Sequence, residues 1–217
     1  MLITPAVLTL ASALAVAGLV RAEAQARPAG KRVCKIVAST AFVLLAWSLG
    51  AARSTYGHWL LLALALSWVG DACLLSRRSV WFLAGLGAFL LAHLAFAAAF
   101  ASAGPQWLGA AWAFGVLVVL GVGILRWLWP SLSARYRVAV AAYVLAIMGM
   151  CALAIGLGLA TGVWIHAAGA LSFAASDLAV ARDRFVRPGL VNKVWGLPVY
   201  YVAQLLLAWS VVVTGRI

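Results

Sequence analysis

Eight runs of apolar residues, each about as long as a membrane is thick, constrain the fold of this chain more than any other feature. Crossing the hydrocarbon core takes about 20 helical residues, and lipid requires every backbone polar group to bond within the protein. The runs fall at about 3–20, 33–50, 59–76, 80–102, 107–128, 138–160, 163–181 and 194–214. They lack the alternating pattern of a membrane β-barrel. We therefore predict an all-α bundle of about eight transmembrane helices, forming a single polytopic domain over residues 1–217.

The basic residues are distributed very unevenly between the two sets of loops. Fourteen of the sixteen lie in or beside the loops that follow the first, third, fifth and seventh runs, and only Arg53 and Arg216 lie on the opposite side. Because cytoplasmic loops are enriched in Lys and Arg, we expect both termini to be non-cytoplasmic. The first run precedes its positive charges, which favours a retained first helix; cleavage near Ala22 would leave seven spans.

The net charge of +12 does not indicate nucleic-acid binding, because basic residues that flank spans account for it. No basic face is interleaved with exposed polar structure, so we expect no nucleic-acid partner. The alanine-rich composition, with more Arg than Lys, is typical of a GC-rich bacterial source. For such a source the chain would lie in the inner membrane.

Two of the four acidic residues, Asp71 and Asp177, lie inside apolar runs. A carboxylate in hydrocarbon is costly and is therefore a functional candidate by default. Both aspartates precede a basic cluster by about one and a half helical turns, so they are expected at similar depth. If the third and seventh helices face one cavity, one carboxyl is expected to stay protonated while the other ionises. Alternatively, the two acids only bond to neighbouring helices or pair with arginines.

A second group of polar side chains is predicted to lie near this depth and to orient the acids, a water molecule or a substrate. It comprises His93, Tyr200, Tyr201 and Gln204. Hydrogen bonding between helices is the alternative role for His93, and a place in the interfacial aromatic belt is the alternative for the tyrosines. His58 and His166 fall near the opposite ends of their helices, so neither a metal site nor a cofactor is expected.

The two halves of the chain show a faint similarity. Asp71 precedes Arg77 by six residues, as Asp177 precedes Arg182 by five. Ala92-His93-Leu94 in the following helix is matched by Ala203-Gln204-Leu205. These pairs suggest a parallel four-plus-four repeat, although two short matches in an apolar chain also arise by chance.

The order and spacing of several motifs resemble the lysoplasmalogenase-like (YhhN) family of multipass membrane proteins. They are Gly70-Asp71-x-x-Leu74, Gly85-x-x-x-Phe89-x-x-x-His93-x-x-Phe96-x-x-x-Phe100, Ser176-Asp177 with Phe185, and Tyr200-Tyr201-Val202-Ala203-Gln204-Leu205. Two positions depart from the family pattern. Phe96 stands where a tyrosine is common, and Ile36 follows Lys35 where a proline is frequent.

The resemblance implies hydrolysis of the vinyl-ether bond of lysoplasmalogens, which releases a fatty aldehyde and a glycerophospho-base, without a metal. The family's acid–base pair maps onto Asp71 and Asp177. Such a reaction takes one protonated carboxyl, one carboxylate and a water molecule. The substrate would be a lysophospholipid in the bilayer, and its phosphate would meet cationic side chains. The candidates are Lys35, Arg77, Arg78 and Arg182.

Each of these cations alternatively serves only to set the topology. A proton-coupled transporter is the main rival function, because parallel repeats with acids inside helices also form ion pathways. A lipid-binding or scaffolding protein, in which the aspartates only lock helices together, is a second rival.

Overall fold

A computed structural model describes residues 3–76 and 78–214 of the chain. The described residues form eight α-helices and no strand, which confirms the all-α prediction for this part of the chain. The helices are α1 (Ile3–Ala24), α2 (Pro28–Ser48), α3 (Thr55–Cys73), α4 (Ser79–Ser102), α5 (Trp107–Leu128), α6 (Ala134–Thr161), α7 (Ile165–Ala181) and α8 (Leu190–Thr214). Each corresponds to one predicted apolar run. Arg77 and Arg216 lie outside the described residues.

Five of these helices, α1, α4, α5, α6 and α8, are long and apolar enough to cross a membrane. Of the other three, α7 has only 17 residues, and α2 and α3 carry Lys35 and Asp71. A membrane crossing by all eight helices therefore stays a prediction, as does the non-cytoplasmic location of both termini.

Local signals fix several helix ends. Pro28 occupies the first turn of α2, where its missing N–H costs nothing, so this helix begins before its apolar run. The Ser54 side chain accepts a hydrogen bond of 3.0 Å from the Gly57 amide and thereby caps α3. Gly162, with φ 73°, ends α6 in the left-handed conformation that favours glycine.

The helices pack as four successive hairpins, α1–α2, α3–α4, α5–α6 and α7–α8. The last helix, α8, also packs against α1, α2 and α3, whereas α5 packs mainly against α6. The outer face of α5 exposes large apolar side chains, as a lipid-facing helix does: Leu108, Trp112, Val116 and Val119. The helix α5 therefore forms an outer wall of the bundle, with α6 between it and the core.

The connections α1–α2, α3–α4, α5–α6 and α7–α8 meet at one end of the bundle, here called the basic end. Glu23, near the end of α1, contacts Lys31 in α2 and Lys193 in α8. Arg184, in a π-helical turn after α7, donates a hydrogen bond of 3.3 Å to Ser79 at the start of α4. These contacts join the basic residues of separate loops into one region.

Candidate active site

Asp71 lies in the last turn of α3, where its side chain is almost completely buried. Ser39 and Tyr200 donate hydrogen bonds of 2.6 and 2.8 Å to its Oδ2 atom. The Nζ atom of Lys35 lies 3.0 Å from its Oδ1 atom. The Lys35 ammonium and the two hydroxyl groups thus place donors at both oxygens of Asp71.

Two further sequence candidates lie behind this carboxylate. The Tyr201 hydroxyl is 3.1 Å from the Ser39 Oγ atom and donates to the Lys35 carbonyl oxygen at 3.3 Å. It therefore holds the residues that hold Asp71. Gln204 is fully buried, and neither atom of its amide has a hydrogen-bond partner among the described residues.

Asp177 lies in the last turns of α7, and 13% of its side-chain surface is accessible. The Tyr143 hydroxyl donates to its Oδ2 atom at 3.1 Å. The Nε2 atom of His93 lies 3.3 Å from the same oxygen, in an orientation short of a hydrogen bond. The Nδ1 atom of His93 is 2.6 Å from the carbonyl oxygen of Phe89.

This geometry constrains the protons of the His93–Asp177 pair. A carbonyl oxygen only accepts, so Nδ1 of His93 carries a proton. The Nε2 atom then either presents a lone pair to a protonated carboxyl or presents a proton to a carboxylate. In both of these forms one proton is on one of the two facing atoms.

An aromatic cluster connects the two carboxyl groups. The ring of Phe173 packs against His93, Tyr200 and Phe89 at centroid distances of 4.5, 5.3 and 6.0 Å. Packed aromatic rings of this kind hold one another in place. The cluster thus fixes a partner of Asp177 relative to a partner of Asp71.

Both aspartates line one cavity of about 490 Å³, together with Tyr143 and Tyr200. One wall of the cavity is apolar and is formed by one face of α5 and one face of α6. On α5 these residues are Leu117, Leu120, Gly121, Ile124 and Leu128, and on α6 they are Val140, Val144, Ile147, Met148 and Cys151. Both sets follow helical spacing.

The cavity occupies only the half of the bundle nearest the basic end. Its deepest lining residues are Leu117, Cys151 and Leu171, which lie near the middle of α5, α6 and α7. A transporter requires a route to both sides of the membrane. This cavity therefore does not favour the transporter alternative.

The mouth of the cavity is charged. Glu23, Lys31, Lys193 and Arg184 all line it at the basic end. The Arg184 guanidinium also lies 4.4 Å from the ring centroid of Phe82.

The sequence candidates for a phosphate site have other surroundings. Lys35 is paired with Asp71 inside the cavity. Arg78 is exposed at the start of α4, and the Arg182 Nη1 atom donates to the Asn192 Oδ1 atom at 2.6 Å. Neither Arg78 nor Arg182 lines the cavity, whose described cations are Lys31, Lys35, Arg184 and Lys193. Arg77 lies outside the described residues.

The partners of the two aspartates correspond across the halves of the chain. Asp71 bonds to Ser39 on the preceding helix and to Tyr200 on α8. Asp177 bonds to Tyr143 on the preceding helix and approaches His93 on α4. Each aspartate thus meets the helix that follows the other aspartate. The pattern agrees with a four-plus-four repeat, which stays a prediction.

Sequence reasoning missed Ser39, Tyr143 and Glu23. Ser39 follows Lys35 by four residues, and this spacing places both on one face of a helix. Tyr143 is a polar group within the apolar run of α6, and Glu23 is one of only four acids. In each case the residue type gave a signal, but the adjacent sequence did not show which side chains the residue would contact.

Within residues 3–76 and 78–214, no three His, Cys, Asp or Glu side chains are grouped as a metal site requires. His166 instead contacts Thr214 on α8 through its Nε2 atom at 2.8 Å, away from the cavity.

Eight helices, several of them long enough to span a bilayer, and two buried carboxyl groups in one cavity define a multipass α-helical membrane protein with an internal acidic site. Within that class, the chain belongs to the YhhN family, whose family model matches residues 30–211.

Curated relatives of this chain carry the name lysoplasmalogenase. The protein from Mycobacterium bovis is 35% identical over 169 residues, which are 76% of this chain and 63% of the relative. Lysoplasmalogenase TMEM86A of Homo sapiens is 35% identical over 156 residues, which are 69% of this chain and 63% of the relative. The chain thus spans 63% of the length of these relatives. No solved structure matches it.

Proposed function

We propose that this protein is a membrane hydrolase that cleaves the vinyl-ether bond of lysoplasmalogens, releasing a fatty aldehyde and a glycerophospho-base. The observation that carries the proposal is the single cavity shared by Asp71 and Asp177, with an apolar wall and a cationic mouth. A lysoplasmalogen carries the matching groups in the same order. Its apolar alkenyl chain is joined by an acid-labile vinyl-ether bond to glycerol, which carries the phosphate. The names of the relatives support the same substrate.

The acid in this proposal is the His93–Asp177 pair. Asp177 reaches the cavity, whereas His93 is fully buried behind it and supplies the proton. Proton transfer to the vinyl carbon remote from the ether oxygen makes the adjacent carbon an oxocarbenium centre. Tyr143, which donates to Asp177, orients the carboxyl toward the cavity. A positioned acid of this kind contributes about 10²–10⁴-fold to a rate.

The carboxylate in this proposal is Asp71, whose Oδ1 atom faces the Lys35 ammonium at 3.0 Å. An ionised carboxyl has about four acceptor positions, and its three donors leave one open to a water molecule. That water attacks the oxocarbenium carbon and loses a proton to the site, which restores the proton spent on the vinyl carbon. The resulting hemiacetal breaks its bond to the glycerol oxygen, giving the aldehyde and the free hydroxyl. One water is consumed in total.

The substrate would lie along the apolar faces of α5 and α6, with its ether bond at the aspartates. Asp71 lies two residues before the end of α3, a rise of about 3 Å, so the reacting bond would sit just beneath the basic end. The phosphate would contact Lys31, Lys193 and Arg184 at the mouth. Tyr200 acts by donating to Asp71, and Tyr201 acts by holding Ser39 and Lys35.

We place the basic end on the cytoplasmic side, because its loops carry most of the positive charge. The inner membrane of a bacterium suits this orientation and the composition. The reaction as written needs no metal and no cofactor, since proton transfer alone activates the vinyl ether.

The test is to incubate purified protein in detergent with a vinyl-ether lysolipid and to measure free aldehyde. The matched control is the saturated alkyl-ether lysolipid, which has the same head and chain length but cannot be protonated at carbon. In D₂O the aldehyde from the vinyl ether is expected to carry one deuterium beside its carbonyl carbon. Absence of aldehyde from folded wild-type protein over a broad pH range would contradict the proposal, and so would aldehyde without deuterium.

A further inference from the structure

The mouth of the cavity contains a carboxylate that the acid–base mechanism does not use. Glu23 lies at the end of α1, outside the residues 30–211 that match the family model. Its Oε1 atom is 2.7 Å from the Nζ atom of Lys31, and its Oε2 atom is 2.9 Å from the Nζ atom of Lys193. All three side chains line the cavity. They form a mixed-charge triad, Lys31–Glu23–Lys193, with a net charge of +1.

The triad retains free binding capacity for both signs of charge. A lysine ammonium has three donors, and each lysine uses one of them on Glu23. The remaining donors suit phosphate oxygens. The Glu23 carboxylate has about four acceptor positions, of which the lysines occupy two. Its remaining positions suit the N–H groups of an ammonium.

We propose that Glu23 is a specificity-determining residue that binds the ammonium of a zwitterionic lysolipid headgroup while Lys31 and Lys193 bind its phosphate. The preferred ligand is an ethanolamine-type headgroup, in which a short linker joins phosphate and ammonium. A headgroup that has phosphate but no amine leaves Glu23 facing a second anion, and binding weakens. This inference rests on the proposed function for its lipid substrate class and adds the headgroup.

Two features distinguish this role from a purely structural clasp. Glu23 is only 10% exposed at the side chain, yet it faces the cavity rather than the outer surface of the bundle. Asp183, the other described acid at the mouth, accepts from the Gly189 amide and the Asn192 side chain, which fix it in the turn after α7. Glu23 is therefore the acid at the mouth whose partners are themselves ligand-binding cations.

The test measures binding rather than turnover. Wild-type protein in detergent is titrated with two saturated alkyl-ether lysolipids of equal chain length, one with phosphoethanolamine and one with a methyl phosphodiester, which carries the same singly charged phosphate but no ammonium. Neither contains a vinyl ether, so a failure of aldehyde release would leave this test standing. Wild type is expected to bind the ethanolamine lipid at least about tenfold more tightly, which is 1.4 kcal/mol.

The variant Glu23→Gln is expected to remove this preference or reverse it. Lys31→Met weakens binding of both lipids in parallel, because the phosphate is common to them. Arg21→Met is the matched control on α1, since Arg21 is exposed and does not line the cavity. The double variant Lys31→Met/Glu23→Gln keeps the triad at a net charge of +1 but lacks the carboxylate, and it is also expected to lose the preference.

An unchanged affinity ratio in folded Glu23→Gln would overturn the proposal and leave Glu23 as a clasp between helix ends. A wild-type ratio in the double variant would overturn it as well, because net charge and not the carboxylate would then set the preference. If Glu23→Gln alone does not fold, the double variant supplies the same comparison.

Discussion

The buried ion pair between Lys35 and Asp71 gives the sharpest prediction about stability. Their atoms Nζ and Oδ1 are 3.0 Å apart, and the side chains are 8% and 2% exposed. At this distance two charges attract by about 5 kcal/mol with an effective dielectric constant near 20. Removing one partner leaves the other charge buried without compensation, and this typically costs about 3–5 kcal/mol. Lys35→Met is therefore expected to lower the free energy of unfolding by about that amount.

A double-mutant cycle isolates the interaction. Asp71→Asn alone leaves the Lys35 ammonium unpaired, whereas Lys35→Met/Asp71→Asn removes both charges. The double variant should be less destabilised than the sum of the single variants by at least about 2 kcal/mol. The assay is reversible unfolding by SDS in mixed micelles, followed by tryptophan fluorescence. Arg53→Met, at an exposed position, is the control and should change stability by no more than about 0.5 kcal/mol. Additive effects of the two single substitutions would refute the ion pair as the stabilising contact.

Further predictions concern packing, catalysis and metals. Gly70→Ala brings a Cβ atom within 2.6 Å of the Phe89 ring and should lower the free energy of unfolding by about 1–3 kcal/mol in the same assay. Gly87→Ala, which meets open space on α4, should be neutral or stabilising. Equal effects of the two substitutions would contradict the packing account. Tyr143→Phe removes the hydroxyl that donates to Asp177, and kcat should fall about 10–100-fold while the fold persists; an unchanged kcat would exclude this hydroxyl from the mechanism. Exhaustive treatment with EDTA should leave aldehyde release unchanged, and a loss restored by a divalent metal would contradict a metal-free reaction.

The sequence was sufficient to predict the helices because lipid imposes a strict rule on backbone hydrogen bonding. Each of the eight runs corresponds to one helix in the structure. The starts of α3 and α2 differ from the predicted ones by a few residues, because Ser54 caps α3 and Pro28 occupies the first turn of α2. Asp71 and Asp177 were identifiable because an acid in an apolar run is rare and costly. The role of each as acid or base stays a prediction that the contacts now make specific.

The partners of the aspartates were not predictable, because they come from distant helices. The position of Lys35 in the basic loop region predicts contact with a phosphate, which stays a prediction, whereas its contact with Asp71 follows from the packing of α2 against α3. Tyr143 lies 34 residues before Asp177, and Tyr200 lies 129 residues after Asp71. Local patterns give the face of a helix on which a residue lies, whereas tertiary packing decides which helix it faces.

The most direct measurement of the central claim compares aldehyde release by wild type, Asp71→Asn and Asp177→Asn, with the folded fraction of each measured in the same detergent. Because Asp71→Asn leaves the Lys35 ammonium without its carboxylate partner, the variant Lys35→Met/Asp71→Asn provides a charge-balanced form of the same test. We predict that each loss of a carboxyl lowers kcat by at least about 100-fold in folded protein. Retention of more than about a tenth of wild-type activity by either folded single variant would contradict an acid–base pair formed by these two residues.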